Sequence, residues 1–199
     1  MRMLNKLPRK IKIKNKRYFI NTDFRIMIRF ENKMQELKMT NKKGITIEIY
    51  KILKSFCPAF FKDFHKNMEK DIKLLLKSFL WFYQGGSREN YHKGKGGSSS
   101  NVNIYSYEYD DEYIWSAFYQ YFKIDLSTDK VHWWKYMAIF KSLPEDCKFE
   151  KIKSYRAYKG KDKDMKELKR YWTLPLDKNL QKQIDETTKY LMEVSKEVK

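Results

Sequence analysis

The chain has 199 residues, with 43 Lys and Arg against 25 Asp and Glu, and a formal charge of +18 at pH 7. An aromatic share of 17% and only 7 Gly exclude a disordered or low-complexity protein and point to a compact fold with large core side chains. A chain of this size buries about 70% of its unfolded surface, so folding requires neither a disulfide nor a metal. The positive charge suits nucleic acid, acidic proteins or anionic surfaces. The same Lys, Asn and Ile enrichment also follows from A+T-rich coding, which implies no partner at all.

Cys57 and Cys147 lie far apart and outside any C-x-x-C pair, so they read as small buried apolar residues in a reducing compartment. The first residues lack the apolar core of a signal peptide, and apolar clusters are broken by Lys well short of the ~18 residues of a membrane span. The expected location is cytoplasmic, with no membrane partner.

The first 17 residues carry Arg2, Lys6, Arg9, Lys10, Lys12, Lys14, Lys16 and Arg17 without an acid. Such an arm could hold phosphates. However, Ile11 and Ile13 alternate with Lys10, Lys12 and Lys14, and Tyr18–Ile20 follow Asn15-Lys16, which predicts a β-hairpin with a solvated Lys face. Asn21-Thr22-Asp23 then caps a predicted helix over Phe24–Lys38, with Phe24, Met27, Ile28, Phe30, Met34 and Leu37 on its apolar face. A second helix is expected over Thr46–Phe56, ended by Cys57-Pro58. Met68, Ile72, Leu75, Leu76, Phe79, Leu80 and Tyr83 predict a third helix, central to the core and stopped by Gly85-Gly86.

Ser87–Asn103 contains Lys93-Gly94-Lys95-Gly96-Gly97-Ser98-Ser99-Ser100 and reads as a flexible loop. It mixes Gly with Lys but lacks the G-x-x-x-x-G-K-[ST] spacing and preceding strand of a phosphate loop. Asp110, Asp111 and Glu112 then open a helix with Ile114, Ala117, Phe118, Tyr121 and Phe122 on its apolar face. Three acids in a first turn complement the helix dipole. As catalytic carboxylates they lack a partner base or metal ligand.

Ser127-Thr128-Asp129 is predicted to cap a helix running from Val131 to Leu143. His132 in that stretch reads as a polar rim residue, since neither it nor His65 or His92 has a Cys or acid at metal spacing. Pro144-Glu145-Asp146 is predicted to open a helix through Phe149, Ile152 and Tyr155 or Arg156 to Gly160. Met165–Trp172 forms a short one, and Leu174-Pro175-Leu176 interrupts. Residues 177–199 carry Leu180, Ile184, Thr187, Leu191 and Val194, a thin apolar stripe suited to a surface helix or to one that waits for a partner.

The expected fold is mainly α: a compact multi-helix domain over residues 1–176 with a small N-terminal β-hairpin, a flexible loop near 87–103, and a C-terminal helix or extension over 177–199. The helices within Tyr107–Tyr158 are expected to pack against the 68–83 helix.

Four blocks also recur in a family-specific order. Asn21-Thr22-Asp23-Phe24-Arg25 follows the hairpin. Leu80-Trp81-Phe82-Tyr83 precedes the Gly stop and polar loop. Ile104-Tyr105-Ser106-Tyr107 leads to Glu112-Tyr113-Ile114-Trp115-Ser116-Ala117-Phe118. Ile124-Asp125-Leu126 precedes His132-Trp133-Trp134-Lys135, and Leu143-Pro144-Glu145-Asp146 precedes Tyr155-Arg156. Over roughly residues 5 to 176 the chain resembles the bacteriophage gene-product-fifteen family of siphophages and prophages of Gram-positive bacteria.

That resemblance implies a protein of the tail-morphogenesis module, acting in the host bacterial cytoplasm as a tail assembly chaperone for the tape measure protein or other tail proteins. It transfers no catalytic residue and implies no cofactor or metal. The candidate partner-binding residues are Trp81, Tyr113, Trp115, Trp133, Trp134, Tyr155 and Arg156, aromatic and Arg anchors of the matched blocks. Self-association is a further expectation. A basic nucleic-acid-binding protein and a structural protein of the virion tail are the alternatives. An enzyme is not expected, because three His and two lone Cys assemble no nucleophile–base pair or metal set.

Overall fold

The computed structural model describes residues 6–39, 45–86 and 104–175. Within them lie a two-stranded antiparallel sheet and seven α-helices. Strand β1 (Lys10–Ile13) pairs with β2 (Lys16–Phe19) in the register Lys10↔Phe19 to Ile13↔Lys16. The alternation in the sequence sets the faces: Ile11 and Ile13 are buried while Lys10, Lys12 and Lys16 stay exposed.

Helices α1 (Phe24–Met39) and α2 (Ile45–Phe60) follow. Asp23 caps α1 as expected, its carboxylate accepting from the Arg25 N–H at 3.0 Å. The residues before α1 form a strap. Asn21 N–H donates to Phe60 O at 2.7 Å, Trp133 N–H donates to Thr22 O at 2.8 Å, and Phe24 N–H donates to Val131 O at 3.1 Å. This short segment therefore ties the end of α2 to residues 131–133, which lie more than a hundred residues beyond the segment itself.

Helix α2 does not end at Cys57-Pro58. It continues through Pro58 to Phe60. Pro58 and Lys54, whose carbonyl loses its partner, both lie on the exposed face. Continuation brings Cys57 and Phe60 to full burial, which outweighs one bond lost to water-accessible backbone.

The third predicted helix is divided. A 3-10 turn over Lys66–Asp71 buries Met68, and α3 proper spans Ile72–Tyr83. A spacing of three and four residues fits both conformations, so periodicity alone does not separate them. Gly85 and Gly86, at φ 74° and 72°, stop α3 as predicted. Gly86 N–H returns to Trp81 O at 2.8 Å, and Gly85 N–H to Phe82 O at 3.0 Å, in the pattern of a Schellman stop.

The second half comprises α4 (Asp111–Phe122), α5 (Trp133–Lys141), α6 (Lys148–Ala157) and α7 (Lys163–Tyr171). Helix α5 packs on α1, and α4 packs on α6. Tyr136 of α5 joins these layers, stacked between Phe24 of α1 at 4.7 Å and Phe118 of α4 at 4.9 Å. Helix α5 reaches α3 through Trp133 and Trp134, whose indole N–H groups donate to Tyr83 O at 2.7 Å and Phe82 O at 2.8 Å. These carbonyls lie in the last turn of α3, where the regular i+4 donors are missing, and Phe82 O accepts the Gly85 N–H as well.

Two helix starts differ from the sequence reading. Ser127-Thr128-Asp129 does not cap α5. The bridge between Asp23 and His132 holds the chain extended up to His132, so the helix opens at Trp133 with His132 as its cap. Pro144-Glu145-Asp146 does not open α6. It forms a turn closed by Cys147 N–H to Pro144 O at 3.1 Å, and the helix starts at Lys148. Cys57 and Cys147 are both buried free thiols. The loop at 87–103 and the stretch 177–199 lie outside the described residues.

Candidate functional site: an aromatic groove on α4

The first turn of α1, the chain before α4, the outer face of α4 and the turn at Leu126 enclose an open groove of about 700 Å³. Its floor is apolar, formed by Phe24, Ile28, Tyr107, Ile114, Leu126 and Tyr136. Asp111, Glu112, Tyr113, Trp115, Ser116 and Ser127 form the rim. The sequence places both sets by helical spacing: Ile114, Ala117 and Phe118 of α4 turn inward, and Glu112, Trp115, Ser116 and Tyr119 turn outward.

Trp115 and Tyr119, four residues apart, stack with ring centroids 5.5 Å apart and planes within 8°. They are 41% and 51% exposed, a large unburied aromatic surface at the edge of the groove. Trp115 is held rather than loose. Its indole N–H donates to Asp125 Oδ1 at 2.9 Å, and the same carboxylate accepts from Ser127 N–H at 2.8 Å and from the Ser127 hydroxyl. The Ser127 hydroxyl foremost, then the Trp115 indole, lowers the Asp125 pKa to about 2. Arg25 fixes the turn from the other side, donating to Leu126 O at 2.6 Å and Asp129 O at 3.2 Å.

Below the groove, burial pushes the phenols of Tyr107 and Tyr136 upward, so neither supplies a tyrosinate near neutral pH. Among the described residues no three His, Cys, Asp or Glu side chains gather at metal-binding distance. The groove is a surface of apolar floor, aromatic edge and acidic rim.

The acids at the start of α4 divide into two roles. Asp111 and Glu112 are exposed in the first turn, as the dipole argument expects. Asp110 is not a first-turn acid. It is 1% exposed and points inward, its oxygens 2.6 and 2.8 Å from the two terminal nitrogens of Arg156. Asp110 also accepts from Ser106 N–H at 2.9 Å. Arg156 donates further to Trp172 O at 2.5 Å and Ile104 O at 3.2 Å. One guanidinium thus ties α4, α6, the residues entering α4 and the end of α7.

The family model described as Bacteriophage Gp15 protein matches residues 3–180. The chain belongs to the bacteriophage Gp15 protein family. It is thereby a phage protein of the structural or morphogenesis kind. No curated protein and no solved structure matches it. The Gp15 match takes in the hairpin, all seven helices and the groove, and ends within the C-terminal stretch.

Of the residues singled out in the sequence, the groove brings together Tyr113 and Trp115. Trp133 and Trp134 are buried, and their indoles serve the α3 terminus. Trp81 is half-buried, edge-on to Trp134 at 5.4 Å. Arg156 is buried in its ion pair, and Tyr155 is half-buried on α6, outside the groove lining.

His132, read as a rim residue, is half-buried and structural. Its Nδ1 accepts from Trp134 N–H at 3.1 Å, which leaves Nε2 to donate to Pro8 O at 3.0 Å. Burial foremost, with Arg9 nearby, lowers its pKa and keeps the ring neutral. The sequence reading missed Tyr119 and the Leu126–Ser127 turn. Tyr119 was recoverable, since it stands one helical turn beyond Trp115 on the polar side of α4.

Proposed function

We propose that this Gp15 protein is a non-enzymatic tail assembly protein that binds the tape measure protein in the host cytoplasm during morphogenesis, through the groove on α4. The observation that carries the reading is the open apolar groove beside the exposed Trp115–Tyr119 stack. A long helical client presents apolar stripes, and a groove between helices is the common receptor for such a stripe. A rigid aromatic edge supplies anchors at low entropic cost. The strongly positive remainder of the surface keeps the carrier soluble.

A nucleic-acid reading of the same aromatics is disfavoured by their surroundings. Trp115 stands among Asp111, Glu112 and Asp125, which repel phosphates where base stacking would bring them. The test is co-expression with the tape measure protein of the same phage. The client stays soluble and co-purifies with the intact chain at low salt. A client that is no more soluble, with no co-purification, ends the proposal.

A further inference from the structure

Charge is unevenly spread along this basic chain. Every charged residue from Lys6 to Ile20 is basic. From Ile104 to Asp129 the one base is Lys123, against Glu108, Asp110, Asp111, Glu112, Asp125 and Asp129. Asp110 is buried against Arg156, whereas Asp111 and Glu112 stand exposed beside the Trp115–Tyr119 stack.

The hairpin gathers its charge on one face. Its register sets Lys10 opposite Phe19 and Lys12 opposite Arg17, and all four are exposed. Lys10 Nζ lies 4.1 Å from the centre of the Phe19 ring, which is itself 47% exposed. Lys12 and Arg17 are like charges directly opposite, an arrangement that destabilises a strand pair unless it is neutralised. Among the described residues no carboxylate lies within ion-pair distance of Lys10, Lys12 or Arg17, and no cation within that distance of Asp111 or Glu112.

We propose that this basic face docks on the acidic, aromatic edge of α4 in a second copy of the chain, with Lys12 and Arg17 against Asp111 and Glu112, and Phe19 against the Trp115–Tyr119 stack. The spacings agree. The Lys12/Arg17 row lies about 7 Å along the strands from the Lys10/Phe19 row. Residues 111–112 lie about 8 Å along the helix axis from the midpoint of the stack. Both surfaces consist of side chains already exposed in the single chain, so nothing has to open before they meet. The surfaces are unlike, and each copy offers one of each. The net charge of the two copies opposes their approach. At about 0.15 M salt, however, a Debye length of about 8 Å screens distant charges and leaves groups in contact attracted. A patch this small gives a weak, reversible contact. The inference goes beyond the proposed client contact, with which it shares the α4 edge, so a bound client displaces the second copy.

Sedimentation velocity of the full chain, from about 10 to about 500 μM at about 0.15 M salt, reads the contact without a client. The average mass is expected to rise with concentration and to return to that of the monomer near about 1 M salt, where the screening length falls to about 3 Å. A chain that stays monomeric throughout overturns the inference. So does association that survives the high salt, which marks an apolar interface of another kind. This salt response needs no variant to fold. The surfaces are assigned by neutralisation, in variants that keep the parent's circular dichroism. Lys12→Thr/Arg17→Thr and Asp111→Asn/Glu112→Gln are each expected to weaken self-association at least about ten-fold. Mixed in equal amounts they pair again, because one retains the α4 edge and the other the hairpin face. Undiminished association of either variant, or a mixture that does not pair, overturns the inference. A chain that associates in this way but leaves its client insoluble removes the proposed function alone; a strictly monomeric chain that carries its client removes this inference alone.

Discussion

Arg156 grips Asp110 with both terminal nitrogens, at 2.6 and 2.8 Å, and the pair is sealed from solvent with side-chain exposures of 7% and 1%. A buried pair of this kind contributes little compared with apolar residues of the same volume, but removing one partner strands a charge. Arg156→Met is expected to destabilise the protein by about 3–5 kcal/mol. Arg156→Met combined with Asp110→Asn should recover a substantial part of that loss, because the stranded carboxylate is gone. Urea unfolding of the two single variants and the double variant measures the coupling; strictly additive losses would contradict it.

His132 makes stability depend on pH. Its folded pKa lies below the ordinary value of 6.5, so the unfolded chain binds the proton more readily. The contribution is complete above the unfolded value and is lost as pH falls from there through the lower folded value. Protonated Nδ1 can no longer accept from Trp134 N–H, so the loss approaches that of a helix cap, about 1 kcal/mol. His132→Asn retains a cap without a titrating ring. Its stability should fall less than that of the parent between pH 7.5 and 5.5, measured by chemical unfolding at both values; parallel falls would refute the role.

Gly86 is locked by two requirements at once. Its φ is 72°, and an added Cβ would stand 2.5 Å from the far edge of the Trp134 ring and 3.2 Å from Trp81. Gly86→Ala is expected to cost about 2–4 kcal/mol, combining left-handed strain with overpacking. A thermal unfolding midpoint within a degree of the parent would rule this out. Gly86→Ala with Trp134→Phe should regain part of the packing loss, although the indole bond to Phe82 O is then absent.

Trp115 and Trp134 should separate binding from folding. Trp115→Ser removes exposed surface and one bond to a solvated carboxylate, so stability should change by less than about 1 kcal/mol while client co-purification drops sharply. Trp134→Ala empties a buried site and should cost about 3–5 kcal/mol. A Trp115→Ser variant that unfolds, or that holds the client as well as the parent, would show that the α4 edge is not the docking surface.

Much of the fold was legible in the chain because local rules and tertiary packing agree there. The Ile11/Ile13 alternation, the Asp23 cap and the Gly85-Gly86 stop read correctly from spacing and residue type, as does the inward face of α4 at Ile114, Ala117 and Phe118, whereas Tyr121, expected on that face, is exposed. The misreadings share a cause. Pro58, Ser127-Thr128-Asp129 and Pro144-Glu145-Asp146 carry sound local signals, but contacts distant in sequence decide the outcome. The strap at 20–24 holds residues 131–132 extended, and burial of Phe60 draws α2 past its proline.

The site was legible only in part for the same reason. Block matching treats every Trp alike, and nothing in His-Trp-Trp announces that both indoles end on carbonyls of α3. Likewise Asp110 looks like its neighbours Asp111 and Glu112 until Arg156, 46 residues later, claims it.

The same Arg156 also sets a boundary. Its guanidinium holds the carbonyls of Ile104, ahead of α4, and of Trp172, just after α7. After α3, Gly86 is wedged beneath Trp134 and Trp81. Loss of the Arg156 guanidinium would therefore loosen the entry to α4 and the exit from α7 together.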